Sequence, residues 1–285
     1  MNEAIMKSML ILTDFSDAAF RAAEYASNLA NKLQVERIIL YHAYRTIIAG
    51  SEFPVPTPKM DNLVYVENME SLAAIQDQLR LMIDADIKYD LLAEETYLPD
   101  HLNKLCKEKE VDLVVMGISG KSNLEHFFMG SNTSQVMKTS EYPVLVVPKD
   151  AIVGKDIKSI IFSTDLRNIS KSSAQQLYHF LDLFKPEVHV VNVEPVSEEK
   201  YSPETKEQIS QLHDLLEQYN PTFHYMNGNN VVEGVLEFSR EHHASLIVTV
   251  PKKHSFISSI FHKSISKELA YNSQVPLLSI PALPE

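Results

Sequence analysis

The sequence has one cysteine, no tryptophan, seven glycines and no long apolar run. The single cysteine, Cys106, excludes an internal disulfide and agrees with a reducing compartment. No apolar run approaches the roughly 18 residues that a membrane helix needs. The first residues lack the charged start, apolar stretch and cleavage site of a signal peptide. These absences predict a cytoplasmic protein with no membrane partner.

Basic residues are also less frequent than acidic residues. Lysine and arginine number 26 against 38 acidic residues, so the net charge is −12. Such a balance repels nucleic-acid phosphates and acidic lipid surfaces, which argues against a nucleic-acid partner. An anionic ligand would have to be held by local geometry, such as backbone N–H groups at a helix N-terminus.

Short β-rich runs alternate with runs of helical period along the whole chain of 285 residues. Near-continuous apolar runs such as MLIL and DLVVM are typical of strands buried on both faces of a parallel sheet. The pattern therefore predicts an α/β fold of doubly wound parallel sheets. In the first half, the predicted strands are 9–13, 37–43, 87–93, 113–117 and 144–147, and the predicted helices are about 17–33, 63–84, 100–109 and 131–139. In the second half, the predicted strands are 160–163, 187–193, 222–226, 245–250 and 276–280.

The second half repeats the first. MKSMLILTDFS aligns with IKSIIFSTDLR, and VDLVVMG…SEYPVLVVP aligns with ASLIVTV…SQVPLLSIP at a constant spacing of 133 residues. The sequence thus predicts two copies of one five-stranded βα domain, at 1–148 and 157–285, joined by a short polar linker.

One segment, 44–59, interrupts this alternation. Three prolines, Pro54, Pro56 and Pro58, predict that it is neither helix nor inner strand. A loop that covers a ligand and a plain connector both fit the sequence.

Three of the seven glycines, Gly117, Gly120 and Gly130, lie within one predicted loop. Gly130 directly precedes a helix that begins Ser131-Asn132-Thr133. Glycine lets a backbone approach a ligand closely, and N–H groups at a helix start attract anions. The spacing differs from that of a Walker loop. If strands 1 and 4 are neighbours, the loop shares one crevice with the turn that follows strand 1.

The stretch from Val111 to Val147 resembles the C-terminal signature of the universal stress protein family, in its ATP-binding branch. That signature has the spacing G-x2-G-x9-G-[ST], as here, followed by a helix and a Pro-Val-Leu-Val-Val strand. ILTDFS and LYHAY are similar to the family's first and second strands, and the resemblance covers both halves. It implies an adenine nucleotide alpha hydrolase-like fold with strand order 3-2-1-4-5. It also implies that the domains pair through their last strands, and it allows a homodimer.

The resemblance implies a ligand and a set of contacts. The ligand is ATP or a related adenine nucleotide, with or without Mg²⁺. The residues implied to hold the phosphates are Gly117, Gly120, Gly130, Ser131, Asn132 and Thr133. Asp14 would meet the ribose or a phosphate-bound metal ion, and Thr13 precedes it in the same implied site. Met116 and Ala43 would line the base and sugar, and Lys121 would offset phosphate charge. Leu12, Ala43 and Tyr97 depart from the family pattern. Tyr97 stands where glycine is common, and crowding of the nucleotide and stacking beside it both fit a tyrosine there.

The second half keeps the Thr-Asp turn but not the glycines. Val250, Lys253 and Lys263 replace them, so a degenerate nucleotide site is predicted there.

No Ser-His-Asp order, paired-carboxylate signature or CxxC motif is visible, and no general base is identified. The sequence therefore predicts a nucleotide-dependent sensor or interaction module with at most slow ATP hydrolysis. A dimeric scaffold without nucleotide is the main alternative. An ATP pyrophosphatase-like enzyme would need an SGGxDS-type loop, which TDFSDA does not provide. Cys106 is predicted to be in the core, and His242 and His243 to end a helix.

Overall fold

The computed structural model describes residues 5–45, 58–83, 86–118, 131–166, 169–194, 202–250 and 265–283. These residues form strands and helices that alternate along the chain. The strands are β1 (Ser8–Leu12), β2 (Arg37–Tyr44), β3 (Lys88–Glu95), β4 (Leu113–Ile118), β5 (Val144–Pro148), β6 (Ser159–Ser163), β7 (Glu187–Glu194), β8 (Thr222–Asn227), β9 (Leu246–Thr249) and β10 (Leu277–Ser279). The helices are α1 (Asp17–Leu33), α2 (Pro58–Arg80), α3 (Leu98–Glu108), α4 (Ser131–Thr139), α5 (Lys171–Phe184), α6 (Pro203–Leu216), α7 (Val231–Glu241) and α8 (Ile265–Asn272).

All ten strands belong to one sheet, in the order β3-β2-β1-β4-β5-β10-β9-β6-β7-β8. Within each half the strands are parallel and follow the order 3-2-1-4-5, as predicted. The last strands of the two halves, β5 and β10, pair antiparallel and join the halves, as the family resemblance implied. Leu278 lies opposite Leu145 in this seam. The domain boundaries at 148 and 157 remain a prediction.

Side chains alternate between two cores, one on each face of the sheet. Met9 and Ile11 of β1 contribute to the core beneath α1, α2 and α5, whereas Leu10 and Leu12 contribute to the core beneath α3, α4 and α7. Each core contains residues from both halves of the chain. Burial on both faces explains why the strands appear in the sequence as continuous apolar runs.

The segment between the halves lies along α1. Lys32 in the last turn of α1 donates 2.6 Å hydrogen bonds to the carbonyl of Gly154 and to Asp156. The hydrogen bond from Lys32 lowers the pKa of the Asp156 carboxyl. At the other end of α1, the ammonium of Lys149 lies 3.5 Å from Asp17. Both contacts are with exposed side chains, so they orient the segment more than they stabilise it.

The proline-rich segment differs from the prediction at both of its ends. Tyr44 is the last residue of β2, an inner strand, and Pro58 and Lys59 begin α2. Proline is tolerated at the first helical position, where its missing N–H would have no partner. Residues 46–57 lie outside the described part. In the described ranges, no helix combines the length and the apolar character needed to cross a bilayer.

Candidate functional site

The carboxyl ends of β1 and β4 meet at one point of the sheet. The two strands are parallel neighbours, with Leu12 opposite Met116. α1, which follows β1, packs on one face, and α4, which follows β4, packs on the other. The chain therefore leaves these two strands in opposite directions, which opens a crevice between their ends. The adjacency of strands 1 and 4, which the fold type predicts, is confirmed.

Thr13 and Asp14 form the turn at the end of β1. The backbone N–H of Thr13 donates to the carbonyl of Tyr41 on β2, which extends the sheet by one residue. The Thr13 hydroxyl accepts the N–H of Phe15, which has a positive φ of 64°. Oδ1 of Asp14 accepts the N–H of Ser16 at 3.0 Å, and the carboxylate is exposed at the crevice.

The cap of α1 is Ser16, whose hydroxyl accepts the N–H of Ala19. Asp14 is therefore not needed as the cap. His42 of β2 is a packed histidine: its Nδ1–H donates to the carbonyl of Thr13 at 2.8 Å, and its ring centre lies 4.3 Å from that of Phe15.

The second half repeats this turn. The Thr164 hydroxyl accepts the N–H of Leu166, which has a φ of 61°, and Asn192 donates to the carbonyl of Thr164. The shared geometry shows that the turn belongs to the fold. A ligand is not required to explain it.

Gly117 packs against the backbone of α1. A Cβ built at this position would lie 2.8 Å from the nitrogen of Ala19 and closer still to the carbonyl of Ala18. Any side chain at 117 therefore collides with the first turn of α1. The equivalent residue of the second half is Val250, which is half-buried against the core. Close packing against α1 therefore explains why position 117 is a glycine, whether or not a phosphate is bound.

Ala43, Met116 and Thr133 lie on the α3–α4 side of the sheet. Ala43 and Met116 belong to the core cluster of that face, and Ala43 is half-buried near the end of β2. Thr133 is buried in the first turn of α4. The helix begins at Ser131, as predicted, and Asn132 follows in its first turn. Gly120, Lys121 and Gly130 lie outside the described residues.

Sequence reasoning did not foresee a group of polar side chains beside the crevice. The hydroxyl of Tyr41 donates to Glu94 at 3.0 Å, and Nε2 of His101 lies 2.8 Å from the same carboxylate oxygen. Burial and the Glu94 charge raise the pKa of Tyr41. The Tyr97 hydroxyl donates to Gln135 of α4. These residues come from β2, β3, α3 and α4, so only the folded chain brings them together.

A cavity of about 900 Å³ lies elsewhere, at the seam between the halves. Its wall includes Tyr25 of α1, Asp150 of the connecting segment and Arg240 of α7. Of the predicted nucleotide contacts that the structure describes, none lines this cavity.

Three histidines cluster in the C-terminal half. The ring centres of His189, His224 and His242 are 5.2 to 5.7 Å apart, around the ring of Phe238. The Thr222 hydroxyl bonds both Nδ1 of His189 and Nε2 of His224. His242 ends α7, as predicted, but its proximity to two other histidines was missed, because they come from separate elements. Across the described ranges, no three His, Cys, Asp or Glu side chains are arranged to hold a metal ion.

This cluster predicts a loss of stability in mild acid. Burial, together with neighbouring imidazoles, lowers the pKa of His189 and of His224. The charge of Glu187 partly offsets the lowering of the pKa for His189 and does not act on His224. Below the ordinary value of about 6.5, the unfolded chain therefore binds more protons than the folded chain. We expect the melting temperature to fall between pH 7 and pH 5, and His224→Gln to make that fall smaller. His213→Gln, at an exposed site, is the control, and equal pH profiles for all three proteins would contradict the prediction.

Cys106 is fully buried in the core of the α3–α4 face, as predicted. Burial raises the pKa of its thiol to about 12, so the reactive thiolate is disfavoured.

Comparison with known proteins gives a consistent result. A family model described as "Universal stress protein family" matches residues 6–148, half of the chain. A universal stress protein of Methanocaldococcus jannaschii is 28% identical over 147 residues, which is 52% of this chain and 85% of that protein. The protein YxiE of Bacillus subtilis, also a universal stress protein, is 25% identical over 147 residues, which is 50% of this chain and 99% of that protein.

A solved structure shares the two-half architecture. The crystal structure of a universal stress protein from Archaeoglobus fulgidus superposes with a TM-score of 0.73. The match covers 99% of this chain and 100% of that one at 16% identity, so it establishes similarity of fold alone.

Proposed function

The chain belongs to the universal stress protein family, and from this premise we propose that its N-terminal half binds ATP or another adenine nucleotide. The protein would act in the cytoplasm as a stress-response sensor or interaction module. The nucleotide would lie in the crevice between β1 and β4.

One observation carries the proposal: β1 and β4 are adjacent and parallel, and the chain leaves them on opposite faces of the sheet. In open α/β sheets, ligands bind at such a switch point. α4 begins at the same edge, so its first N–H groups and positive dipole end are directed towards it. An acidic protein can hold an anion there by local geometry alone.

The proposed contacts are those that the family resemblance implies. Phosphates would meet the glycine loop and the start of α4, with or without Mg²⁺, and the base and sugar would lie against the ends of β2 and β4. The proposed set is Thr13, Asp14, Ala43, Met116, Gly117, Gly120, Lys121, Gly130, Ser131, Asn132 and Thr133.

We assign no efficient catalysis to this site, and ATP hydrolysis would at most be slow. In the C-terminal half the residue equivalent to Gly117 is Val250, and the proposal gives that half a structural or regulatory role.

Binding is tested on the full chain with Mg-ATP. With ATP at about 100 times its dissociation constant, the folded state should gain about 2.7 kcal/mol, visible as a higher melting temperature. The chain contains no tryptophan, so co-purified nucleotide should also raise its 260/280 nm absorbance ratio. Gly130→Val should weaken ATP binding at least about tenfold, since it places a side chain where the backbone must approach the phosphates.

The matched control is Lys263→Val, at the equivalent position of the second half, which should leave ATP binding unchanged. A wild-type protein that carries no nucleotide and shows no thermal shift with Mg-ATP would refute the proposal. It would favour a scaffold that works without nucleotide. Such a scaffold would have to associate through other surfaces than the last strands, because β5 and β10 each already have two neighbours within one chain.

A further inference from the structure

The helices α3 and α7 are equivalent, but they begin differently. Each has eleven residues, and they lie 133 positions apart in the chain. Both are followed by a residue of positive φ, Glu110 at 51° and His243 at 49°. At the start of α7, Asn230 caps the helix by accepting the N–H of Glu233. At the start of α3 the equivalent residue is Tyr97, which makes no side-chain cap bond.

A tyrosine at this position gives up a stabilising interaction. Asparagine is among the best N-cap residues, and tyrosine has no oxygen close enough to the backbone to replace it. The loss is local to α3, so the reason for Tyr97 has to be sought in contacts beyond its own helix.

Two contacts hold the Tyr97 ring in place beside the crevice. Its hydroxyl donates to Gln135 in the second turn of α4. The guanidinium carbon of Arg45, the residue after β2, lies 5.0 Å from the ring centre. The half-buried ring therefore spans from α3 to α4 past the end of β2, on the face that also carries Ala43 and Met116.

We infer that Tyr97 is a specificity-determining residue, whose ring is the wall against which the base of the bound nucleotide stacks. Arg45 lies over one face of the ring, and the base would occupy the other. Aromatic stacking recognises a flat ring system and makes no contact with phosphates. This inference rests on the proposed function, because it names the contact that selects a ligand with a base over phosphate alone.

The test compares two ligands, Mg-ATP and inorganic triphosphate with Mg²⁺, by calorimetry on the full chain. The variant Tyr97→Asn installs the residue that caps α7. We expect it to fold, because the restored cap offsets part of the stability lost with the contacts of the ring. Its affinity for ATP should fall about tenfold, within the range measured when an aromatic partner of a base is removed. Its affinity for triphosphate should not change.

Two further variants complete the experiment. Tyr97→Phe keeps the ring and loses the bond to Gln135, and it should retain most of the ATP affinity. Asn230→Ala removes the cap of the equivalent helix and should lower stability without changing the affinity for ATP.

The inference is overturned if Tyr97→Asn binds ATP as tightly as the wild type, or if it weakens ATP and triphosphate equally. It is also overturned if Tyr97→Phe loses as much ATP affinity as Tyr97→Asn. If the wild type binds no adenine nucleotide at all, the proposed function fails and this inference fails with it. If the wild type binds ATP but the Tyr97 variants give one of the contrary results above, only the inference fails.

Discussion

Gly117→Ala is expected to destabilise the protein by about 3 kcal/mol or more, the upper range for forcing an extra methyl into a packed interior. The new methyl would meet the backbone of Ala18 and Ala19, with the nitrogen of Ala19 at 2.8 Å. A helix backbone cannot rotate away as a side chain can, so α1 must shift from β4. The melting temperature should fall by about 6–12 °C, at the 2–4 °C per kcal/mol typical of chains of this size.

The second half provides the matched control for Gly117. Val250, at the equivalent position, is half-buried against the core, so α5 already accommodates a side chain there. Val250→Ala removes only part of a half-buried side chain and should cost about 1 kcal/mol. If Gly117→Ala lowers the stability no more than Val250→Ala does, α1 does not need the glycine.

Leu278→Ala, in the seam between the halves, should cost about 2–5 kcal/mol, the usual range for a large-to-small change in a core. Leu278 is 1% exposed and lies opposite Leu145 across the antiparallel β5–β10 pair. Both side chains belong to a core cluster that also contains Leu40 of the first half and Phe162 of the second. Because that core is continuous, the variant should still unfold in a single thermal transition.

Leu63→Ala is the control for the seam. Leu63 is 59% exposed on α2, so its truncation should change stability by less than about 0.5 kcal/mol. Two separate thermal transitions in Leu278→Ala, or a loss of stability as small as that of Leu63→Ala, would contradict a core shared by the two halves.

Much of the fold follows from local sequence patterns. The apolar runs of β1 and β4 and the helical period of α1 predict those elements correctly, with strand ends that differ by at most one residue. The internal duplication predicts that both halves share one strand order, and they do. The Ser16 cap and the Thr-Asp turn are also local, since each involves residues within three positions of one another.

The candidate site was only partly predictable. The sequence placed Thr13, Asp14, Ala43 and Met116 at strand ends, and the structure brings those ends to one edge. The assignment of Gly117 to a ligand missed its packing against α1, because the collision depends on how closely β4 and α1 approach. The link between Tyr97 and Gln135 joins residues 38 positions apart and leaves no periodic signal.

The sequence by itself determined the elements, their order and their duplication, because hydrophobic period, caps and turns act between residues that are near in the chain. Only the tertiary structure decided that β5 and β10 pair in antiparallel register, that three histidines meet around Phe238, and that an uncapped helix start at Tyr97 reaches α4. Each of these contacts joins residues from separate elements, and their distances are fixed by strand order and helix packing rather than by any local preference.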